Sequence, residues 1–244
     1  FYFPVSLCVG SFSRPASQWA MRRWCKTSCD WLGIQNTLID GHKLKATPQA
    51  VIVANHLSAL DILVIGAHLR RDYRWLAKAE LFKVPLSGWH LNLAGHIPVF
   101  RGERDRNSGI GARIHKVVEE GASVLFFPEG TRSRTGALKP FFRGAFRTAV
   151  DEGLPVLPLL VRGTYDLLIP DEWELVPKAD RQCSVQVLDP ILPEHTGDTA
   201  ADVDALRFKV WSTYMGHLHP DAALDPAQAD GEALKAAGQA GVGT

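Results

Sequence analysis

Apolar and polar positions along the chain fall into blocks that switch between two periods. The run Val51–Ala54, β-branched at three positions and ending at Asn55, predicts a buried strand. Tyr73–Ala77, His96–Phe100, Val124–Phe127 and Val156–Val161 repeat that pattern and predict further core strands. Between them, Leu60–Leu69, Asp105–Glu120 and Ala145–Glu152 predict helices. In the second of these, Ile110, Ile114, Val117 and Val118 form a stripe at helical spacing, with Gly121 as a fitting C-cap. Ser184–Leu188 alternates and predicts an edge strand, and Ala201–Met215 predicts a closing helix. Strands that alternate with helices indicate an α/β fold: a central, mostly parallel sheet flanked by helices.

The two ends differ from this middle. Phe1–Phe12 is apolar and aromatic but shorter than the roughly 20 residues a spanning helix needs, and reads as the remnant of a longer hydrophobic anchor. Gln18–Ile34 carries Trp19, Trp24 and Trp31 among Arg22, Arg23 and Lys26, the composition of an interfacial helix lying at lipid headgroups; a helix packed on the core is the other reading. Asp40-Gly41 is a hairpin signal ahead of the Val51 strand. Beyond Pro220, Ala, Gly, Asp and Gln predominate. The expected organisation is a membrane-associating helical segment over 1–40, an α/β domain over 41–219 and a disordered tail over 220–244.

Charge sharpens this picture. The formal net charge is +1, but the span from Arg70 to Arg147 holds 15 Lys and Arg against 7 Asp and Glu, whereas Val150 to the end holds 6 against 16. A basic middle suits an anionic ligand or an anionic membrane surface. Nucleic acid would fit the charge too, yet no aromatic-interleaved RNA motif or zinc-finger spacing accompanies it, so no nucleic-acid partner is expected. The four cysteines show no CxxC pair and no Cys/His metal spacing, so they read as buried thiols and no metal is expected.

The chemistry gathers at strand ends. His56 lies in the turn between the Val51 strand and a helix start, with Ser58 as the expected N-cap and Asp61 at the third helical position. A helix start disfavours an imidazolium, which keeps the imidazole available as a base. Asp61 can accept its second ring N–H. The plainer alternative is a capping box beside an ordinary loop histidine. Arg101, at the end of another strand, offers a planar fork of donors to a phosphate. Val124–Phe127 runs into Pro128-Glu129-Gly130-Thr131-Arg132-Ser133, a glycine-containing turn with hydroxyl and guanidinium groups suited to an oxyanion. Phe141 and Phe142 belong either to an acyl groove or to the core. Lys78 is a candidate donor or phosphate contact, with an exposed lysine as the alternative. Neither a Gly-x-Ser-x-Gly elbow nor a P-loop is present.

Four blocks together resemble the glycerolipid acyltransferases over roughly Val51 to Gly163. They are Asn55-His56-x-Ser58-x-x-Asp61; Gly95-x-x-x-Val99-Phe100-Arg101, where Phe100 replaces a frequent acidic residue; Phe127-Pro128-Glu129-Gly130-Thr131-Arg132-Ser133; and Val156-Leu157-Pro158, the weakest. Lys78-Ala79-Glu80-Leu81-Phe82 is also similar to the family. The resemblance implies His56 and Asp61 as catalytic residues and Asn55, Ser58, Arg101, Glu129, Gly130, Thr131 and Arg132 as substrate-binding residues. By it, Glu129 contacts polar headgroup atoms, Gly130 admits close backbone approach and Arg132 holds a phosphate. It implies acyl transfer from acyl-CoA or acyl-carrier protein, as co-substrate rather than cofactor, to the sn-2 hydroxyl of 1-acyl-glycerol-3-phosphate, giving phosphatidic acid. The expected setting is the cytoplasmic face of the inner membrane. The alternatives are another lysolipid acceptor, such as a lyso-ornithine lipid or a lysophospholipid, and a non-catalytic lipid-binding protein.

Overall fold

Val51–Ala54 is wholly buried and lies mid-sheet, so both its faces are covered by protein. The structure, a computed structural model, describes residues 14–85, 87–100, 103, 105–172, 174–177, 179–221 and 226–230. The helices and strands run in the order α1 (Arg14–Trp31), β1 (Gln35–Ile39), α2 (His42–Ala46), β2 (Val51–Ala54), α3 (Asp61–Gly66), β3 (Tyr73–Lys78), α4 (Ser87–Leu93), β4 (Ile97–Val99), α5 (Ile110–Glu119), β5 (Ser123–Phe126), α6 (Gly144–Glu152), β6 (Val156–Arg162), α7 (Thr164–Leu167), β7 (Gln182–Val187) and α8 (Thr199–Leu218).

Among the described residues, seven strands form one sheet in the order β1-β7-β6-β2-β5-β3-β4. β6, β2, β5, β3 and β4 are mutually parallel, while β7 is antiparallel to β6 and parallel to β1. Alternation along β2 divides the core in two. Val51 and Val53 pack with α5, α6 and α8 residues on one face; Ile52 and Ala54 pack with α1 and α3 residues on the other. Because β2, β5 and β6 are parallel and adjacent, the loops leaving their C-terminal ends emerge on one edge of the sheet.

Several expectations change. Asp40-Gly41 is not a hairpin turn: Asp40 takes φ +56 and leads into α2, because β1 pairs with distant β7 rather than with β2. β1 brings Gln35–Ile39 into the sheet, so the α/β unit begins before residue 41. β7 is an inner strand and β1 is the edge; the alternation of β7 reflects one better covered face. α1 buries Met21, Cys25 and Cys29 against the α3 side of the core, the core-packed reading, and leaves Trp19, Trp24 and Trp31 outside. Burial pushes the Cys29 thiol up to about 11 and that of Cys183 up to about 12, the behaviour of inert core thiols. The tail expected to be disordered includes a docked stretch: Ala229 is buried, its carbonyl accepts from Phe141 N at 3.0 Å, and Asp230 pairs with Arg207. Phe1–Phe12 lies outside the described residues.

β2 stops pairing after Ala54, and the Asn55 side chain continues the ladder by one rung. Its amide donates to Val161 O at 2.9 Å and its oxygen accepts from Val161 N at 2.7 Å. Asn55 is buried, so Asn55→Ala strands two backbone groups away from water. The variant should lose about 2–4 kcal/mol in denaturant unfolding; a loss below about 0.5 kcal/mol would show the rung to be dispensable.

Candidate active site

The turn after β2 and the segment after β6 meet around one carboxylate. Asp61 is fully buried. Its Oδ2 accepts from Leu57 N at 2.7 Å and Ser58 N at 2.9 Å, and lies 2.8 Å from His56 Nδ1; its Oδ1 accepts from the Thr164 hydroxyl at 2.6 Å. Two backbone N–H groups can only donate, so the carboxylate is the acceptor here, and it receives the His56 Nδ1 proton as well. Nε2 of the ring is thereby left to take a proton. The ring is further fixed by stacking on Phe127, with centroids 4.0 Å apart.

The local capping differs from expectation. α3 begins at Asp61 itself and has six residues, and the Ser58 hydroxyl accepts from Leu60 N while donating to Leu168 O at 2.7 Å. Such a short helix contributes little dipole, so the hydrogen bonds around Asp61, rather than a helix start, orient His56. Ser58 and Asn55 are both buried and committed to backbone partners, which removes them from substrate contact.

Glu129 is also committed to backbone partners. It is buried, its Oε1 accepts from His56 N at 2.7 Å and its Oε2 from Lys139 N at 3.1 Å. It therefore clamps the His56 turn to the loop after β5. Gly130 turns the chain at φ +72, where a Cβ would come within 2.9 Å of the Phe142 ring. The loop is tied to the His56 turn again by Ser133 N, which donates to His56 O at 2.8 Å.

Two clefts open here, and His56, Thr131 and Lys139 line both. A polar one of about 620 Å³ adds Arg132, Ser133, Arg134, Thr135, Pro170 and Asp171. The other, about 1010 Å³, is walled chiefly by apolar side chains, among them Ile62, Trp75, Leu76, Leu81, Val99, Ile110, Ile114 and Phe142. Thr131 accepts from Lys139 Nζ, and Arg132 stands beside Asp171 at 3.3 Å. Lys78 lies on the wall of the apolar cleft, away from the polar one. The two phenylalanines separate: Phe142 lines the apolar cleft, whereas Phe141 is core, packed on Phe146 and Tyr214. Arg101 lies outside the described residues.

Thr164, Lys139 and Arg134 escaped the sequence reading. Thr164 reaches Asp61 from 103 residues away, and no periodicity announces such a contact. Lys139 and Arg134 are ordinary surface-type residues until the loop curls back on His56. Among the described residues, no group of three or more His, Cys, Asp or Glu could hold a metal ion.

The model of the acyltransferase family matches residues 36–162. The chain is 40% identical over 114 residues to a chloroplastic 1-acyl-sn-glycerol-3-phosphate acyltransferase of Brassica napus, covering 47% of this chain and 33% of that protein. It is 33% identical over 167 residues to a 1-acyl-sn-glycerol-3-phosphate acyltransferase of Chlamydomonas reinhardtii, covering 68% and 49%. It thus spans a third to a half of the length of these relatives. The crystal structure of the 1-acyl-sn-glycerophosphate acyltransferase of Thermotoga maritima shares the fold, with a TM-score of 0.70 at 23% identity over 88% of each chain.

Burial pushes the Glu129 carboxyl up to about 8, against the pull of the His56 and Lys139 N–H groups. A carboxyl raised in the fold binds a proton that the unfolded chain has released. Its contribution to stability therefore falls as pH rises from about 4.5 through 8. Glu129→Gln should flatten that part of the stability curve in chemical unfolding across the window; a slope as steep as the parent's would count against the assignment.

Proposed function

The chain belongs to the acyltransferase family, and from that premise we propose that it acylates the free sn-2 hydroxyl of 1-acyl-glycerol-3-phosphate to give phosphatidic acid. The observation that carries the proposal is the shared wall: His56 lines both the polar, cationic cleft and the apolar one. A phosphate in the first, held by Arg132 with Lys139 nearby, sets the hydroxyl of the acceptor beside His56. The second accommodates hydrocarbon. The names of the relatives from Brassica napus and Chlamydomonas reinhardtii support this acceptor.

In the reaction, His56 Nε2 takes the hydroxyl proton as the oxygen attacks the thioester carbonyl of acyl-CoA or acyl-carrier protein. Asp61 steadies the imidazolium that forms. Collapse of the tetrahedral intermediate releases the thiol, which takes the proton back from His56. No covalent acyl-enzyme is required. General base catalysis of this kind contributes about 10²–10⁴-fold, and positioning of the hydroxyl by the bound phosphate adds to it.

The acceptor is a membrane lipid, and α1 supplies a surface suited to that setting. Trp31 is 85% exposed, Trp19 and Trp24 are partly exposed, and the Arg23 guanidinium lies 5.6 Å from the Trp19 ring centre. Among the described residues, no helix is long and apolar enough to cross a membrane. We place the protein against the lipid surface, on the cytoplasmic face of the inner membrane where acyl thioesters are supplied.

Radiolabelled acyl-CoA offered with a panel of lysolipids tests the reading. Label should enter phosphatidic acid, and His56→Ala should reduce incorporation by at least about 10²-fold while the circular dichroism spectrum is retained. Label in a lyso-ornithine lipid or another lysophospholipid alone would replace the acceptor. Undiminished turnover by His56→Ala would remove the base, and no incorporation at all would favour a lipid-binding protein.

A further inference from the structure

Asp171 bridges the two arginines of the polar cleft. One of its carboxylate oxygens accepts from Arg132 Nη2 at 3.3 Å and the other from Arg134 Nη2 at 3.1 Å, so a single carboxylate spans both guanidinium groups, as two oxygens of a phosphate would. All three residues line the polar cleft with His56. Asp171 does not belong to the loop that carries the arginines. It follows Pro170 in the segment after α7 and takes a left-handed φ of +73, a conformation that aspartate tolerates better than most residues.

The arginine loop is held without it. Ser133 N donates to His56 O at 2.8 Å, the Ser133 hydroxyl donates to Ala137 O at 2.6 Å, and the Tyr165 hydroxyl donates to Arg134 O at 2.9 Å. Asp171 is therefore not needed to shape the loop backbone, and what it engages is the charge of the two side chains. The Asp171 and Arg134 side chains are 59% and 82% exposed, so this bridge is weak and readily exchanged.

On the acceptor assignment above, we infer that Asp171 is a built-in competitor for the phosphate site, a placeholder carboxylate that the headgroup must displace from Arg132 and Arg134. A phosphate entering the cleft must first free both guanidinium groups, so Asp171 lowers the fraction of sites open to any phosphate and raises the concentration of acceptor needed.

Asp171→Asn keeps the size and the tolerance of positive φ while removing the charge. Its KM for 1-acyl-glycerol-3-phosphate should fall roughly two- to fivefold, the scale of exchanging an exposed ion pair, with the change falling on KM rather than kcat. A raised or unchanged KM would overturn the inference and make Asp171 a residue that aligns the arginines. Calorimetric binding of glycerol 3-phosphate to both proteins separates the two layers. Tighter binding by Asp171→Asn supports the placeholder. Equal binding overturns it and leaves the phosphate site standing. No binding to either protein overturns the inference together with the phosphate site it rests on.

Discussion

A buried carboxylate holds the centre of this molecule together. Asp61 has no solvent to share its charge with, so the surrounding chain must supply donors, and it does so from three directions: two backbone N–H groups of the β2–α3 turn, the imidazole of His56 and the hydroxyl of Thr164. The same bonds that satisfy the charge fix the turn, choose which histidine nitrogen is occupied and pin the exit of β6 to the exit of β2. Structural and chemical demands on this residue are therefore one demand.

The sheet topology then places the two clefts. Parallel neighbours β6, β2 and β5 release their loops on one edge, and Glu129 clamps two of those loops by accepting the N–H groups of His56 and Lys139. The result is a histidine at the border of two unlike spaces, one cationic and one apolar. An amphiphile with a charged head and a hydrocarbon tail has its reactive oxygen between those parts, which is where the imidazole stands.

Much of this was legible from local pattern. The buried strands at Val51, Tyr73, Val124 and Val156 announced themselves as continuous apolar runs, and the five-residue separation of His56 and Asp61 fits a turn entering a helix. Gly130 and Arg132 were marked by their motif. Roles set by direction or by distance were not legible. Asn55 and Ser58 sit within the motif but point into the backbone, and Glu129 is a brace. Thr164 and Asp171 reach the site from a segment that carries no local signal, and β1 finds β7 across most of the chain. Phe141 and Phe142 are neighbours with opposite fates because adjacent side chains of an extended segment face opposite ways.

On the proposed mechanism, His56 and Asp61 act as one unit. Single-turnover acyl transfer by His56→Ala, Asp61→Asn and the double variant tests it most directly, each variant being checked for folding by circular dichroism. The double variant should be no slower than His56→Ala alone, since the carboxylate acts only through the ring. Losses that multiply would show that Asp61 serves the reaction by a route independent of the imidazole, and would contradict it.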